Sequence, residues 1–385
     1  MAYYFLFPEK DTTIYSHPDR KKMNAGHDEL LEVLKERGTT DTLLYPTRTL
    51  ISFKNEEIQN TIKDIIGSSK FNDGTTQVNL NLTSANPQNL ISTLNLNIYA
   101  VSESWDEGSG RYSNLPTGSN GASWKFRNNT TVAHGWQSSS GQFASDTTGS
   151  ISSLLTQGGG TWYTSSSLYV TQQFLVGESL DINVDVTSIV KKHSASLFAS
   201  QTYPTGIINN GFLIKKPENV ENNVSHSFGE LQYFSTDTHT IHPPKLIFKW
   251  DDSDHQYQGL AEQEGELNVS LYRNKQEYNQ NDEAKFRIHI RDKYPVRQFV
   301  SSSNYLNVGY FTTSSFFSIR DAYTEQEVIP FDTSFTKLSA DSDGMFFKLN
   351  MKGLQPERYY RVLFKHINKD GTVVYDNDYY FKVVR

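Results

Sequence analysis

The chain contains no cysteine, so neither disulfides nor thiolate chemistry can enter its stability or its function. The compartment stays open, except that an oxidising one is not needed. No apolar run approaches the roughly twenty residues of a membrane-spanning helix, so membrane insertion is not expected. A basic excess is also lacking: 36 Lys and Arg stand against 43 Asp and Glu, a net charge of −7 with a pI near 5.8. Nucleic acid is therefore not expected as a partner, because phosphate neutralisation needs a basic face. Phosphate-cradling glycines are missing too: Gly108-Ser109-Gly110 has neither a third glycine nor a helix behind it. No Gly-x-Ser-x-Gly nucleophile elbow occurs. The apolar run Met1–Pro8 is too short for a secretion signal and lacks its positive charges and cleavage site. The expectation is a protein made in a cytosol and kept there until it assembles or is released by lysis.

What is abundant points to strands. Aromatics make up 13% of the chain, with 22 Tyr and 23 Phe, and they are accompanied by many Thr, Ser and Asn. Gln77–Leu82, Leu94–Ala100 and Leu180–Val186 alternate apolar and polar residues, as half-buried strands do. Arg48–Phe53, Gly211–Lys215, Glu230–Ser235 and Pro244–Trp250 are strand-length and bounded by turn residues. A helix is expected over 55–67, with Asn55 as its N-cap, Ile58, Ile62, Ile65 and Ile66 as its apolar stripe, and Gly67 as its stop. Residues 108–165 are rich in Gly, Ser, Thr and Asn with isolated aromatics, and are expected to be a long loop excursion. The acidic, periodless stretch 253–266 reads as a linker. The expected organisation is all-β: a domain over 1–252, the linker, and an immunoglobulin- or fibronectin-like sandwich over 267–385.

One stretch has the composition of an active site. Ser104–Tyr112 contains Trp105, Asp106, Glu107 and Arg111 among glycines, directly after the strand Leu94–Ala100. Asp106 and Glu107 are adjacent, so on an extended chain they point to opposite faces and cannot share one substrate. The better reading is a structural corner, in which Trp105 plugs the sandwich end and Glu103, Asp106 or Glu107 pairs with Arg111. The aromatics Trp124, Trp136, Trp162 and Tyr163 admit three readings: stacking on sugar rings, anchoring a protein interface, or burial by loops that fold back. His239 and His242 are not expected to bind metal, since Pro243-Pro244 keeps their segment extended. Asp251, Asp252 and Asp254 resemble the start of a calcium loop, but the glycine and terminal glutamate of an EF-hand are missing. No metal or cofactor is expected, and a looser calcium site at these aspartates is the alternative.

Three segments resemble DNRLRE-type domains. Arg48-Thr49-Leu50-Ile51-Ser52-Phe53 is similar to their "R-x-L-[LI]-x-F" strand. Leu94–Tyr99 with Glu103–Gly108 is similar to their "L-x-L-Y … [ET]-S-W-x-E" strand and corner. Asp185–Val190 is similar to their "[FV]-D-V-T-x-[LI]-V" segment. The resemblance covers most of residues 10–252 and implies a jelly-roll β-sandwich like those of carbohydrate-binding modules. The long insertion at 108–165 exceeds that pattern, and no sugar-binding residue carries over. Together with Arg291–Pro295 and Lys337–Asp341 in the C-terminal part, the chain looks like structural proteins of T4-like tailed bacteriophages, marine cyanophages among them.

These readings lead to a non-enzymatic virion protein, a component of the tail, neck or baseplate or a capsid decoration, whose partners are other virion proteins and its own copies. The alternative is a receptor module that binds host-surface glycans through loop aromatics. A glycan-cleaving enzyme is disfavoured, since no separated carboxylate pair stands out. If Trp105 plugs the sandwich end, Trp105→Ala should cost about 3–5 kcal/mol in chemical denaturation. Normal folding with loss of a ligand alone would instead make the corner a binding site.

Overall fold

The alternating segments form mainly antiparallel strands in the computed structural model, which describes residues 2–86, 92–114, 120–129, 133–136, 143–144, 158–197, 206–255, 266–294, 309–369 and 371–385. The protein is all-β, with a few short helices. Most of the expected linker, residues 256–265, and large parts of the 108–165 excursion lie outside the described residues. The chain divides into two compact units, one of Leu6–Gly67 and Gln77–Ile247, the other of Met1–Phe5, Ser68–Thr76 and Phe248–Arg385.

The larger unit is built on a six-stranded sheet. Its strands run in the order Tyr169–Phe174, Leu94–Ala100, Phe212–Lys215, Leu44–Ser52 and Lys10–Tyr15, with Lys35–Arg37 also pairing with Leu44–Ser52. Leu94–Ala100 buries alternate residues, whereas Leu44–Ser52 is buried at every position but the first and so is covered on both faces. A ladder of Asn79–Leu82 with Ile182–Asp185 and another of Leu30–Val33 with Leu231–Phe234 complete the strand framework of this unit. The expected helix begins at Asn55, but Lys54 is its N-cap; the Asn55 side chain instead accepts a hydrogen bond from Asn209 at 2.8 Å. From Thr61 to Ile66 the helix widens into a π-turn, which Gly67 ends at φ 88°. Ile58, Ile62 and Ile66 are buried, four residues apart, and Ile65 is only half-buried.

The smaller unit is a face-to-face sandwich. One sheet has the order Leu267–Tyr272, Glu283–Asp292, Gly344–Asn350 and Ser339–Asp341. The other has the order Glu277–Asn279, Gly371–Val384, Arg358–Asn368, Ser315–Asp321 and Glu327–Ile329. Phenylalanines join them: Phe347 of the first sheet stacks on Phe317 of the second at 4.2 Å, and Phe286 lies 5.2 Å from Phe381. The N-terminal aromatic run belongs to this unit. Tyr3, Tyr4 and Phe5 are buried, and a Cβ on Gly353 would come within 2.5 Å of the Phe5 ring.

Gly211 shows how closely the larger unit is packed. Its φ of +89° suits glycine, and a Cβ there would stand 2.1 Å from the Ile51 carbonyl oxygen. Gly211→Ala therefore combines backbone strain with a clash against an adjacent strand. It should cost about 2–3 kcal/mol, read as a lowered urea midpoint; an unchanged midpoint would show that the strand yields freely.

Candidate functional site

Trp105 plugs the corner as the sequence suggests. The strand Leu94–Ala100 carries the chain to it, its side chain is 1% exposed, and its indole N–H donates to the Asn210 carbonyl at 2.9 Å. The Lys10 ammonium donates to the Trp105 carbonyl and lies 4.6 Å over the ring. Asp106 and Glu107 diverge: Asp106 is exposed, while Glu107 Oε1 accepts the Asp11 N–H at 3.0 Å. Neither acid forms an ion pair with Arg111 among the described residues. The Arg111 charge acts on Asp28 instead, and Glu103 lies 3.7 Å from Arg127.

Asn24, which the sequence did not single out, pins the turn. Its Nδ2 donates to the carbonyls of Glu107 at 2.6 Å and Ala122 at 2.8 Å. Its Oδ1 accepts the N–H groups of Gly26 at 3.3 Å and Gly110 at 2.8 Å. All four side-chain hydrogen-bonding capacities of this buried amide serve backbone. The pairing spans more than eighty residues of chain, so no local motif reveals it.

The tryptophans are core residues. Trp124, Trp136 and Trp162 are 2%, 8% and 4% exposed and cluster with Ile14, Leu50 and Trp105. The reading that makes them surface platforms for sugars or partners is corrected: they pack into the core beside Ile14, Leu50 and Leu213. Tyr163 is half-buried. Charge holds Trp124 and Trp162 in place. The Arg48 guanidinium has no exposed surface, and it pairs with Glu221 through two bonds of 3.0 and 2.7 Å. It also donates to the Gly159 carbonyl at 2.6 Å and lies 4.6 Å from the Trp124 ring and 5.2 Å from the Trp162 ring. Lys215 adds a second cation, 3.0 Å from Glu221 and 4.6 Å over Trp162. Burial pushes the Glu221 carboxyl up, but Arg48 and Lys215 outweigh it and hold it below its ordinary range.

Beside the corner lies an open cleft of 320 Å³, walled by Tyr15 and Tyr112 and edged by Asp28, Glu29, Glu32 and Arg111. The Tyr15 hydroxyl donates to Glu32 at 2.9 Å, and both Asp28 oxygens accept the Tyr112 N–H at 3.0 Å. Burial pushes Asp28 up to about 6, against the Tyr112 hydrogen bond. His239 is exposed, 3.5 Å from Glu29, and His242 stacks on Phe234 at 5.8 Å. In the smaller unit, Asp251 accepts from Ser253 at 2.9 and 2.7 Å, and the Asp254 carbonyl accepts from Ala340 at 2.9 Å. Among the described residues no group of three His, Asp or Glu side chains is placed to hold a metal ion, Asp252 included.

No family model and no curated protein matches the chain. A solved structure of a DUF4785 family protein from Legionella pneumophila is similar at 7% identity and a TM-score of 0.20, covering 98% of this chain and 66% of that one. The chain thus spans just under two thirds of that protein's length.

Asp11 gives this region a signed pH dependence. Its carboxyl is buried, and burial raises it from 3.8 to about 7, against hydrogen bonds from Thr236 and with Glu107 and Asp237 adding to the rise. The folded state therefore holds a proton that the unfolded state releases between these values. The stability Asp11 contributes is full below 3.8 and is lost as pH rises to about 7. Asp11→Asn, which keeps an oxygen for Thr236, should gain stability relative to the parent as pH rises through this window and hold a constant difference above it. Parallel melting curves of the two proteins across the window would show the idea wrong.

Proposed function

We propose that the chain is a non-catalytic structural protein that works through protein–protein contacts, in the particle of a tailed bacteriophage. The resemblance to virion proteins supports that setting, with other particle proteins and copies of the chain as partners. The observation that carries the assembly reading is the long ribbon of Arg358–Asn368 and Gly371–Val384. Its outer strand exposes Val373, Val374 and Tyr380 by 39%, 50% and 44%. Among the described residues, that strand has a partner on its other side only at Lys382–Val384. A strand that leaves backbone groups and apolar side chains open together is a template for pairing with another chain. The burial of Trp105, from the stretch with the composition of an active site, and of the Arg48–Glu221 pair supports the same reading, since all three are used up inside the fold.

Glycan binding is the second reading, and the cleft beside Tyr112 favours it. A half-buried tyrosine with carboxylates and an arginine at the rim suits a ring that has apolar faces and hydroxyl edges. The test is to locate the chain in purified particles by side-chain-resolution imaging, alongside titration with host polysaccharide. Incorporation through ordered contacts, with no saturable polysaccharide binding, is the expected result. Saturable binding abolished by Tyr112→Ala, in a chain absent from particles, would replace assembly by glycan recognition. Measurable polysaccharide cleavage would overturn the non-catalytic reading.

A further inference from the structure

The loop over 235–242, which carries Thr238-His239-Thr240-Ile241-His242, is fastened to the larger unit by groups that gain and lose protons. Its first anchor is Asp11, buried on the strand Lys10–Tyr15. Asp11 Oδ2 accepts both the N–H and the hydroxyl of Thr236, at 2.8 and 2.6 Å. Its second anchor is His27, 3.4 Å from Asp237. Ser235 donates its N–H to the Glu29 carbonyl at 3.0 Å and its hydroxyl to the Asp28 carbonyl at 2.5 Å. His239 lies 3.5 Å from Glu29. His27, Asp28 and Glu29 line the cleft beside Tyr112, so the loop is tied to one wall of that cleft.

We propose that this loop is a pH-sensitive latch on the cleft wall: it is fastened while Asp11 is neutral and His27 is charged, and it loosens as rising pH ionises the one and neutralises the other. The surrounding charges set the direction. Glu107 stands beside Asp11, its Oε1 accepting the Asp11 N–H at 3.0 Å, and Asp237 acts on both acids. The cations facing this group are Lys10 and His27. Lys10 also faces Glu9 and Asp106, and Arg111 acts on Asp28 alongside Glu29 and Glu32. With Asp11 neutral and His27 charged, the carboxylates of Glu107 and Asp237 are matched by Lys10 and His27. With both protons gone, Asp11, Glu107 and Asp237 face Lys10 alone. An ionised Asp11 is then out of water and among like charges, and a loosened loop relieves both by admitting solvent. The Thr236 hydrogen bonds favour the ionised form, but burial outweighs them and raises Asp11 to about 7. A proton held there therefore opposes release. His27 and Asp237 are each more than a third exposed, so their pair adds the smaller share.

The test follows amide hydrogen exchange over 235–242 in the full chain from about pH 5 to about pH 9. Each rate is divided by that of an unstructured peptide of the same sequence, which removes the intrinsic dependence on pH. Protection of the loop should fall at least about tenfold as pH rises to about 7 and level off above it. The loop should exchange ahead of the strand Leu94–Ala100 at every pH. Asp11→Asn keeps an oxygen for Thr236 and loses the ionisation, so most of the fall should vanish. Glu107→Gln keeps an oxygen for the Asp11 N–H and removes the neighbouring charge, so the fall should shrink. A level profile in the parent would overturn the latch, as would the full parental fall in either variant. Exchange of the loop only together with Leu94–Ala100 would also overturn it, since the whole unit would then be responding. If Asp11→Asn does not fold, Glu107→Gln decides.

Discussion

A guanidinium with no contact with water sets the conditions for the larger unit. Taking Arg48 and Glu221 out of solvent costs several kcal/mol per ion, and the cost is recovered only where geometry and hydrogen bonding are complete. Completion here needs segments far apart in the chain. Arg48 comes from the central strand, Glu221 from a short helical turn, and the Gly159 carbonyl and the Trp124 and Trp162 rings from the excursion. None can move without leaving a buried charge exposed to apolar surroundings. The pair therefore acts as a constraint on topology: it holds the excursion down onto the sheet and turns its tryptophans inward.

Buried amines extend the same logic. The Lys35 ammonium donates to the carbonyls of Val220, Asn223 and His226, and Lys216 to those of Ser227 and Gly229. Burial pulls Lys35 down to about 8 and Lys216 to about 7. Perturbed groups of this kind are common at catalytic sites, yet here each faces backbone carbonyls. Their work is to satisfy the orphan acceptors of a loop that has little regular structure of its own. The 320 Å³ cleft beside Tyr112 keeps Glu29 and Arg111 at an open rim.

The smaller unit solves the core problem with aromatic packing. Stacked phenylalanines close the two sheets on each other, and Arg361 and Lys382 pair with exposed glutamates. What the aromatics do not close is the side. Along Gly371–Phe381, Val373, Val374 and Tyr380 stay exposed on a strand with no second neighbour among the described residues.

Much of this was legible in the residues themselves. Alternation over Leu94–Ala100, Gln77–Leu82 and Leu180–Val186 is a local property of a half-buried strand; it appears in the burial pattern of Leu94–Ala100, whereas Asn79 is buried between Val78 and Leu80. Trp105 was legible as a plug because a large apolar side chain directly after a strand has few places to go but the sandwich end. The N-cap was misread because Asn55 is spent on Asn209, a distant partner. The partners of the turn were misread for the same reason: proximity in sequence suggested Arg111, whereas Asn24 reaches it from across the chain. The three tryptophans of the excursion left platform and core equally open, since Gly- and Ser-rich flanks carry no period that fixes a face. The sequence by itself determined which segments are strands, because pleat and burial act residue by residue. Tertiary structure decided what the polar and aromatic residues do, because a buried Arg48 selects its carboxylate, its carbonyl and its two rings by distance in space.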